Sequence, residues 1–202
     1  MKIFCIGRNY SEHAKELGNA VPENPVVFSK PDTALLKNGE AFYLPEFSQD
    51  VHHEIELVIR INKVGKNIQE KFAQNYFNEI GLGVDFTARD LQAQLKAKGL
   101  PWELAKGFDG SAPLGDFFSI EGLDLNNINF GLKKNDVWVQ QGNTRDMIFS
   151  FAQIVSFISR YFTLKVGDLI YTGTPAGVGP VAIGDKLVGF VEQQQMLAFE
   201  VK

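Results

Sequence analysis

Glu54 and Glu56 sit in the stretch from His53 to Asn62, where Ile55, Leu57, Ile59 and Ile61 recur at every second position. That alternation predicts a strand with the isoleucine and leucine residues on one face and Glu54, Glu56, Val58 and Arg60 on the other. Side chains two apart on a strand stand about 7 Å from each other at their carbons, a spacing that lets two hard oxygen donors converge on one cation. A solvated acidic face is the competing reading for Glu-x-Glu alone. Asp85 ends a second apolar stretch, Ile80–Phe86, just before a predicted helix, where a third carboxylate can join the pair. Three carboxylates without cysteine favour Mg²⁺ or Mn²⁺ over a structural zinc.

Such a site needs cations near it. Lys106, flanked by Leu104, Ala105 and Phe108, is a candidate to offset the negative charge, against the ordinary reading of a snorkelling surface lysine. Arg89 and Gln92 lie three apart on the predicted helix and share one side of it, from which both can reach a substrate anion. His13 and Glu16 are also three apart, so the carboxylate can hold one imidazole nitrogen and leave the other as a general base. His52 and His53 are adjacent, so at most one joins the carboxylate face, and a supporting hydrogen bond is its expected role.

The elements that must position these groups are mostly strands. Residues 2–6 read as a first strand, followed by Asn9 and Glu12 as a capping box for a short helix closing at Gly18. Val26–Phe28 is a further strand. Thr87 with Asp90 reads as the cap of a helix carrying Ala88, Leu91 and Leu95, stopped by Gly99 and Pro101. Lys133–Asp136 reads as a hairpin turn, and Asp146–Phe162 as an apolar core helix. Strands at Leu169–Thr172, Leu187–Val191 and Met196–Val201 close the chain, with Thr172–Pro180 as a Gly- and Pro-rich loop. The expectation is a sheet-rich α+β fold in a single domain over residues 1–202, without repeats or linkers.

Composition narrows the function. Twenty basic and twenty-four acidic residues leave a formal charge of −4, so the 202-residue chain has no overall basic footprint for nucleic acid. The apolar run Ile3–Ile6 is too short for a secretory signal or a membrane span. The lone Cys5 cannot form an internal disulfide and reads as core filler, which fits a reducing cytoplasm. Gly-x-Ser-x-Gly, P-loop and Cys-x-x-Cys patterns are absent, and Gly173–Gly179 lacks Rossmann spacing, so no nucleotide cofactor is indicated.

Several blocks in order carry a resemblance. They are Gly7-Arg8-Asn9-Tyr10 with His13 and Glu16, His52-His53-Glu54-Ile55-Glu56-Leu57, Asp85-Phe86-Thr87-Ala88-Arg89-Asp90, Gly99-Leu100-Pro101-Trp102, Ala105-Lys106, and Thr172–Pro180. Together they resemble the fumarylacetoacetate hydrolase superfamily, in its short acylpyruvase and oxaloacetate decarboxylase branch, over nearly the whole chain. The resemblance implies a mixed β-sheet roll with flanking helices and a short N-terminal lid helix, in a homodimer. It implies Glu54, Glu56 and Asp85 as ligands to Mg²⁺ or Mn²⁺, His13 and Glu16 as a catalytic dyad, Lys106 as the active-site lysine, and Arg89, Gln92 and Thr174 as lining of a 2-oxo acid pocket. The activity it implies is hydrolysis of the C–C bond of acylpyruvates to pyruvate and a carboxylic acid. Oxaloacetate decarboxylation or keto–enol tautomerisation of 2-oxo acids is the alternative, and a non-catalytic metal or oxo-acid binding module a further one. Neither nucleic acid nor membrane is an expected partner.

Overall fold

The structure, a computed structural model, describes residues 1–12 and 22–202. Its strands are β1 (Ile3–Gly7), β2 (Val26–Lys30), β3 (Leu35–Lys37), β4 (Val51–His53), β5 (Ile55–Arg60), β6 (Glu79–Val84), β7 (Thr87–Ala88), β8 (Ala112–Ser119), β9 (Asn129–Lys134), β10 (Val137–Asn143), β11 (Leu169–Tyr171), β12 (Gly179–Pro180), β13 (Lys186–Val191) and β14 (Gln194–Glu200). Seven of them form a mixed sheet in the order β2-β1-β11-β5-β6-β8-β3. Pairings β1–β11 and β3–β8 are parallel and the others antiparallel. A four-stranded antiparallel sheet, β10-β9-β13-β14, packs against it, and a small sheet, β12-β4-β7, sits beside the carboxylate residues. This is the expected α+β class, a curled mixed sheet with few helices.

β5 is central and buried on both faces, which accounts for its dense apolar sequence. Ile55, Leu57 and Ile59 enter the main core with Leu82, Leu132, Ile154 and Phe199. Val58, on the opposite face, joins a smaller core of Ile3, Cys5, Leu169 and Tyr171. Cys5 is thus core filler, as its apolar neighbours indicate. In β6 the position facing Glu56 is glycine because a Cβ on Gly83 would come within 2.6 Å of the Tyr171 ring.

The β9–β10 hairpin turns at Asn135 and Asp136, both with positive φ (52° and 66°), the conformation a tight two-residue turn requires. The core helix runs over Phe151–Tyr161, five residues shorter at its start than its apolar pattern suggests. Ser150 and Gln153 form its capping box. The preceding residues are held extended by Asn9: Ile148 N–H donates to its backbone carbonyl and Phe149 N–H to its side-chain oxygen.

Two further caps differ from expectation. Asn9 is fully buried and its Nδ2 donates to Phe149 O and Thr172 O, so its side chain joins two distant segments instead of capping a helix. Ser11 and Glu12 are helical, but the rest of the predicted lid helix, with His13 and Glu16, lies outside the described residues. The helix Arg89–Ala97 starts after Ala88 without a side-chain cap. Thr87 turns its hydroxyl to Glu54 instead, and Asp90 accepts from Ser48, Gln49 and Leu91. Among the described residues no helix is long and apolar enough to cross a membrane.

Candidate metal centre

The three carboxylates are built from adjacent sheet ends. Glu54 lies in the one-residue break between β4 and β5, Glu56 two residues on in β5, and Asp85 immediately after β6, which pairs with β5. Asp85 N–H donates to Glu54 O at 2.8 Å and fixes the register of the two chain segments. One ligand atom from each of Glu54, Glu56 and Asp85 lies within 4.8 Å of the others, and all three residues are buried.

Three like charges in a buried site demand compensation. Lys106 Nζ donates to Glu54 Oε2 at 2.9 Å and to Asp85 Oδ2 at 2.7 Å. It ends the short helix Glu103–Lys106 and faces the Phe28 ring at 5.2 Å from the centroid. Burial disfavours its charge, but Asp85 and Glu54 more than offset this and raise its pKa above the ordinary lysine value. Arg89 donates to Glu54 Oε1 at 2.5 Å and to Gln92 Oε1 at 2.8 Å. Glu56 has Gly173 N–H as a donor to Oε2 at 2.7 Å. Burial, with the charges of Asp85 and Glu54, pushes its carboxyl well above the usual range.

Lys30 was not legible in the sequence as a site residue. Its Nζ is 2.8 Å from Asp85 Oδ1, while its hydrogen bonds go to Phe86 O, Ser111 O and Ser111 Oγ. The contact with Asp85 is therefore Coulombic, and Asp85 Oδ1 is a buried carboxylate oxygen that receives no hydrogen bond. An oxygen so placed, in an all-oxygen trio, fits a hard dication such as Mg²⁺ or Mn²⁺.

Gln140, in β10, is a second residue that spacing does not reveal. Its Oε1 accepts from Ile55 N–H and meets His53 Nδ1 at 2.9 Å, and its Nε2 donates to Thr174 Oγ1 and Pro175 O. One buried amide thereby locks the Gly/Pro loop against β5 and holds Thr174 at the cleft. Burial lowers the His53 pKa, so its neutral ring can donate from Nδ1 to this oxygen. His52 instead meets Asp50 at 2.8 Å.

The cleft above the carboxylates is lined by Arg89, Gln92, Lys106 and Thr174, with Phe28 and Trp102 as apolar wall. The structure thus brings together every described member of the predicted set, and leaves His13 and Glu16 outside the described residues. Buried oxygen donors, flanking ammonium and guanidinium groups and a polar cleft can bind an anion beside a dication and stabilise negative charge that develops on it.

Residues 2–201 match the profile of the fumarylacetoacetate (FAA) hydrolase C-terminal family. A mitochondrial oxaloacetate tautomerase of Arabidopsis thaliana is 43% identical over 202 residues, covering 100% of this chain and 91% of that protein. An oxaloacetate tautomerase of Escherichia coli is 42% identical over 188 residues, covering 92% of this chain and 86% of its own length. The crystal structure of a fumarylpyruvate hydrolase from Pseudomonas aeruginosa, in complex with Mn²⁺ and pyruvate, superposes with a TM-score of 0.94 at 34% identity, covering 100% of this chain and 89% of that one.

Proposed function

This chain belongs to the fumarylacetoacetate hydrolase family, and from that premise we propose that it is a metal-dependent keto–enol tautomerase of oxaloacetate. The observation that carries the reading is the buried trio Glu54, Glu56 and Asp85 with Lys106 bonded across two of its members. The two tautomerases similar to it favour this reaction over acylpyruvate hydrolysis. Glu54, Glu56 and Asp85 would hold Mg²⁺ or Mn²⁺, which when bound supplies Lewis-acid polarisation of a 2-oxo group.

The chain's own residues then have defined tasks. Tautomerisation breaks a C–H bond at C3 and forms an O–H bond at the 2-oxo oxygen, so negative charge develops on that oxygen in passing. Lys106, whose ammonium is already hydrogen-bonded to Glu54 and Asp85, offers a cationic donor to it. Arg89, Gln92 and Thr174 hold the substrate carboxylate, and His13, oriented by Glu16, exchanges the C3 proton. All of these belong to one catalytic domain spanning residues 1–202. The lone buried Cys5 suits a reducing compartment such as the cytoplasm.

Acylpyruvate hydrolysis is the second reading, favoured by the likeness to the fumarylpyruvate hydrolase. Incubation with Mn²⁺ and oxaloacetate, following enol absorbance, separates the two. Tautomerase activity changes that absorbance without releasing pyruvate or CO₂, whereas release of pyruvate and acetate from acetylpyruvate at a faster turnover would overturn the assignment in favour of hydrolysis. Lys106→Met is expected to lower kcat about 100-fold, the scale for removing one donor from a developing oxyanion.

The reading also carries a homodimer. An apolar groove of about 850 Å³ runs between edge strand β2 and the helix Phe151–Tyr161, with Tyr161 and Phe162 exposed beside it. Sedimentation giving a monomer at micromolar concentration would remove this element and leave the chemistry intact.

A further inference from the structure

Arg8 follows β1 in the left-handed backbone region, with φ at 61°. Glycine or asparagine adopts that conformation at less cost, so arginine there is an expense that needs a reason. Its side chain lines the cleft over the carboxylate trio, alongside Arg89 and Lys96. Arg89 is already bonded to Glu54 and Gln92, and Lys106 to Glu54 and Asp85. Among the described residues no acid forms an ion pair with Arg8. Arg8 thus adds positive charge to a cleft in which Arg89 and Lys106 are already engaged by Glu54 and Asp85.

The crowding bears on its neighbour. Burial and the like charges of Arg8 and Arg89 lower the Lys96 pKa from its ordinary value. An anion beside Arg8 would offset this positive charge. Phe28 and Trp102, 6.0 Å apart between centroids, wall the cleft with apolar surface. A monocarboxylic 2-oxo acid has its only charge at the end that the proposed metal would bind. A further cationic group in the cleft is useful only to a ligand charged at both ends.

We propose that Arg8 binds the second carboxylate of a dicarboxylic 2-oxo acid and selects dianions over 2-oxo acids whose distal group is neutral. The inference rests on the reading above, in which the carboxylate trio holds the 2-oxo end through a dication.

Arg8→Asn tests it with little danger to folding, since asparagine tolerates a positive φ better than arginine. Wild-type and variant proteins loaded with Mn²⁺ would be assayed with oxaloacetate and with its 4-methyl ester, which differ in distal charge. The wild type should prefer the diacid by about tenfold or more in kcat/KM, and the variant should lose most of that preference through a higher KM for the diacid. Calorimetric affinities for Mn²⁺, and for oxalate as a ligand of the metal end alone, should agree between the two proteins. Equal use of acid and ester by the wild type, or a parallel fall for both in the variant, overturns the subsite while Mn²⁺ and oxalate still bind. Failure of the wild type to bind Mn²⁺ overturns the metal reading, and the subsite with it.

Discussion

Lys30 Nζ and Asp85 Oδ1 stand 2.8 Å apart with side chains 0% and 1% exposed, so Asp85 has a fixed counter-ion that solvent cannot replace. Lys30 is itself anchored by Phe86 O and by both oxygens of Ser111. Replacing it with methionine leaves a buried carboxylate with one cation fewer. Loss of one partner of a buried pair costs about 3–5 kcal/mol. Lys30→Met should therefore unfold at markedly lower urea, and Mn²⁺ should recover more stability in the variant than in the wild type, because the dication replaces the missing charge. A variant as stable as wild type in metal-free buffer would show that the pair contributes nothing.

Glu56 presents the opposite case. Burial and the neighbouring charges of Asp85 and Glu54 favour its neutral form in the metal-free protein. Glutamine matches that form in shape and can still accept from Gly173 N–H. Glu56→Gln should keep the metal-free melting temperature within about 3 °C of wild type, since an isosteric neutral swap costs little. Divalent metal at 100 times its Kd adds about 2.7 kcal/mol to the wild type, and that gain should vanish in the variant. Thermal melts with and without Mn²⁺ decide the matter, and an undiminished shift in Glu56→Gln would exclude it as a ligand.

These two residues mark the boundary of what the sequence discloses. Glu56 was legible because strand alternation is local: Ile55 and Leu57 fix which way it points. Asp85 and Lys106 were legible through their company in recurrent motifs. Lys30 was not, because a lysine closing an apolar strand is ordinary until β2, β1 and the chain at Asp85 are seen side by side. Gln140 was hidden for the same reason, since its partners lie 34 to 87 positions away. Asn9 was misread as a cap because Asn-x-x-Glu is a local signal, whereas its actual partners, Phe149 and Thr172, are 140 and 163 positions distant. Local periodicity also carried the core helix five residues too far toward its start, into Met147 and Ile148, which instead pair with Tyr10 and Asn9.

Asp90 ties the helix carrying Arg89 and Gln92 to the turn before β4. Its carboxylate accepts from Ser48 Oγ at 2.6 Å, Gln49 N–H at 3.0 Å and Leu91 N–H at 2.8 Å. Slight burial works against the charge, but these donors outweigh it and lower the pKa below 3.8. A depressed carboxyl pKa contributes stability that is present above the unfolded value and lost as pH falls through the folded one. Asp90→Asn should thus be less stable than wild type at pH 6, and the gap should close as pH drops below about 4. Paired thermal melts across pH 3–6 measure this. A gap that stays constant across the range would mean that the carboxylate charge is irrelevant to the anchor.

Gly173 joins the loop to the centre, and its lack of a side chain is required there twice over. Its φ is +105°, and a Cβ would lie 2.6 Å from Asn9 Cβ and 3.3 Å from Ile6 O. Its N–H also holds Glu56 Oε2. Gly173→Ala must therefore strain the backbone, at roughly 1–3 kcal/mol, and push Asn9 aside at a similar overpacking cost. Gly99→Ala isolates the first term, because Gly99 has φ +64° with nothing within 4 Å of the added carbon. At about 2–4 °C per kcal/mol for a chain of this size, Gly173→Ala should melt several degrees below Gly99→Ala. It should also bind Mn²⁺ more weakly, since displacement of the loop withdraws the donor that orients Glu56, whereas Gly99→Ala should keep wild-type affinity. Equal melting temperatures and equal affinities in the two variants would show that the close approach of Gly173 to Asn9 has no bearing on the centre.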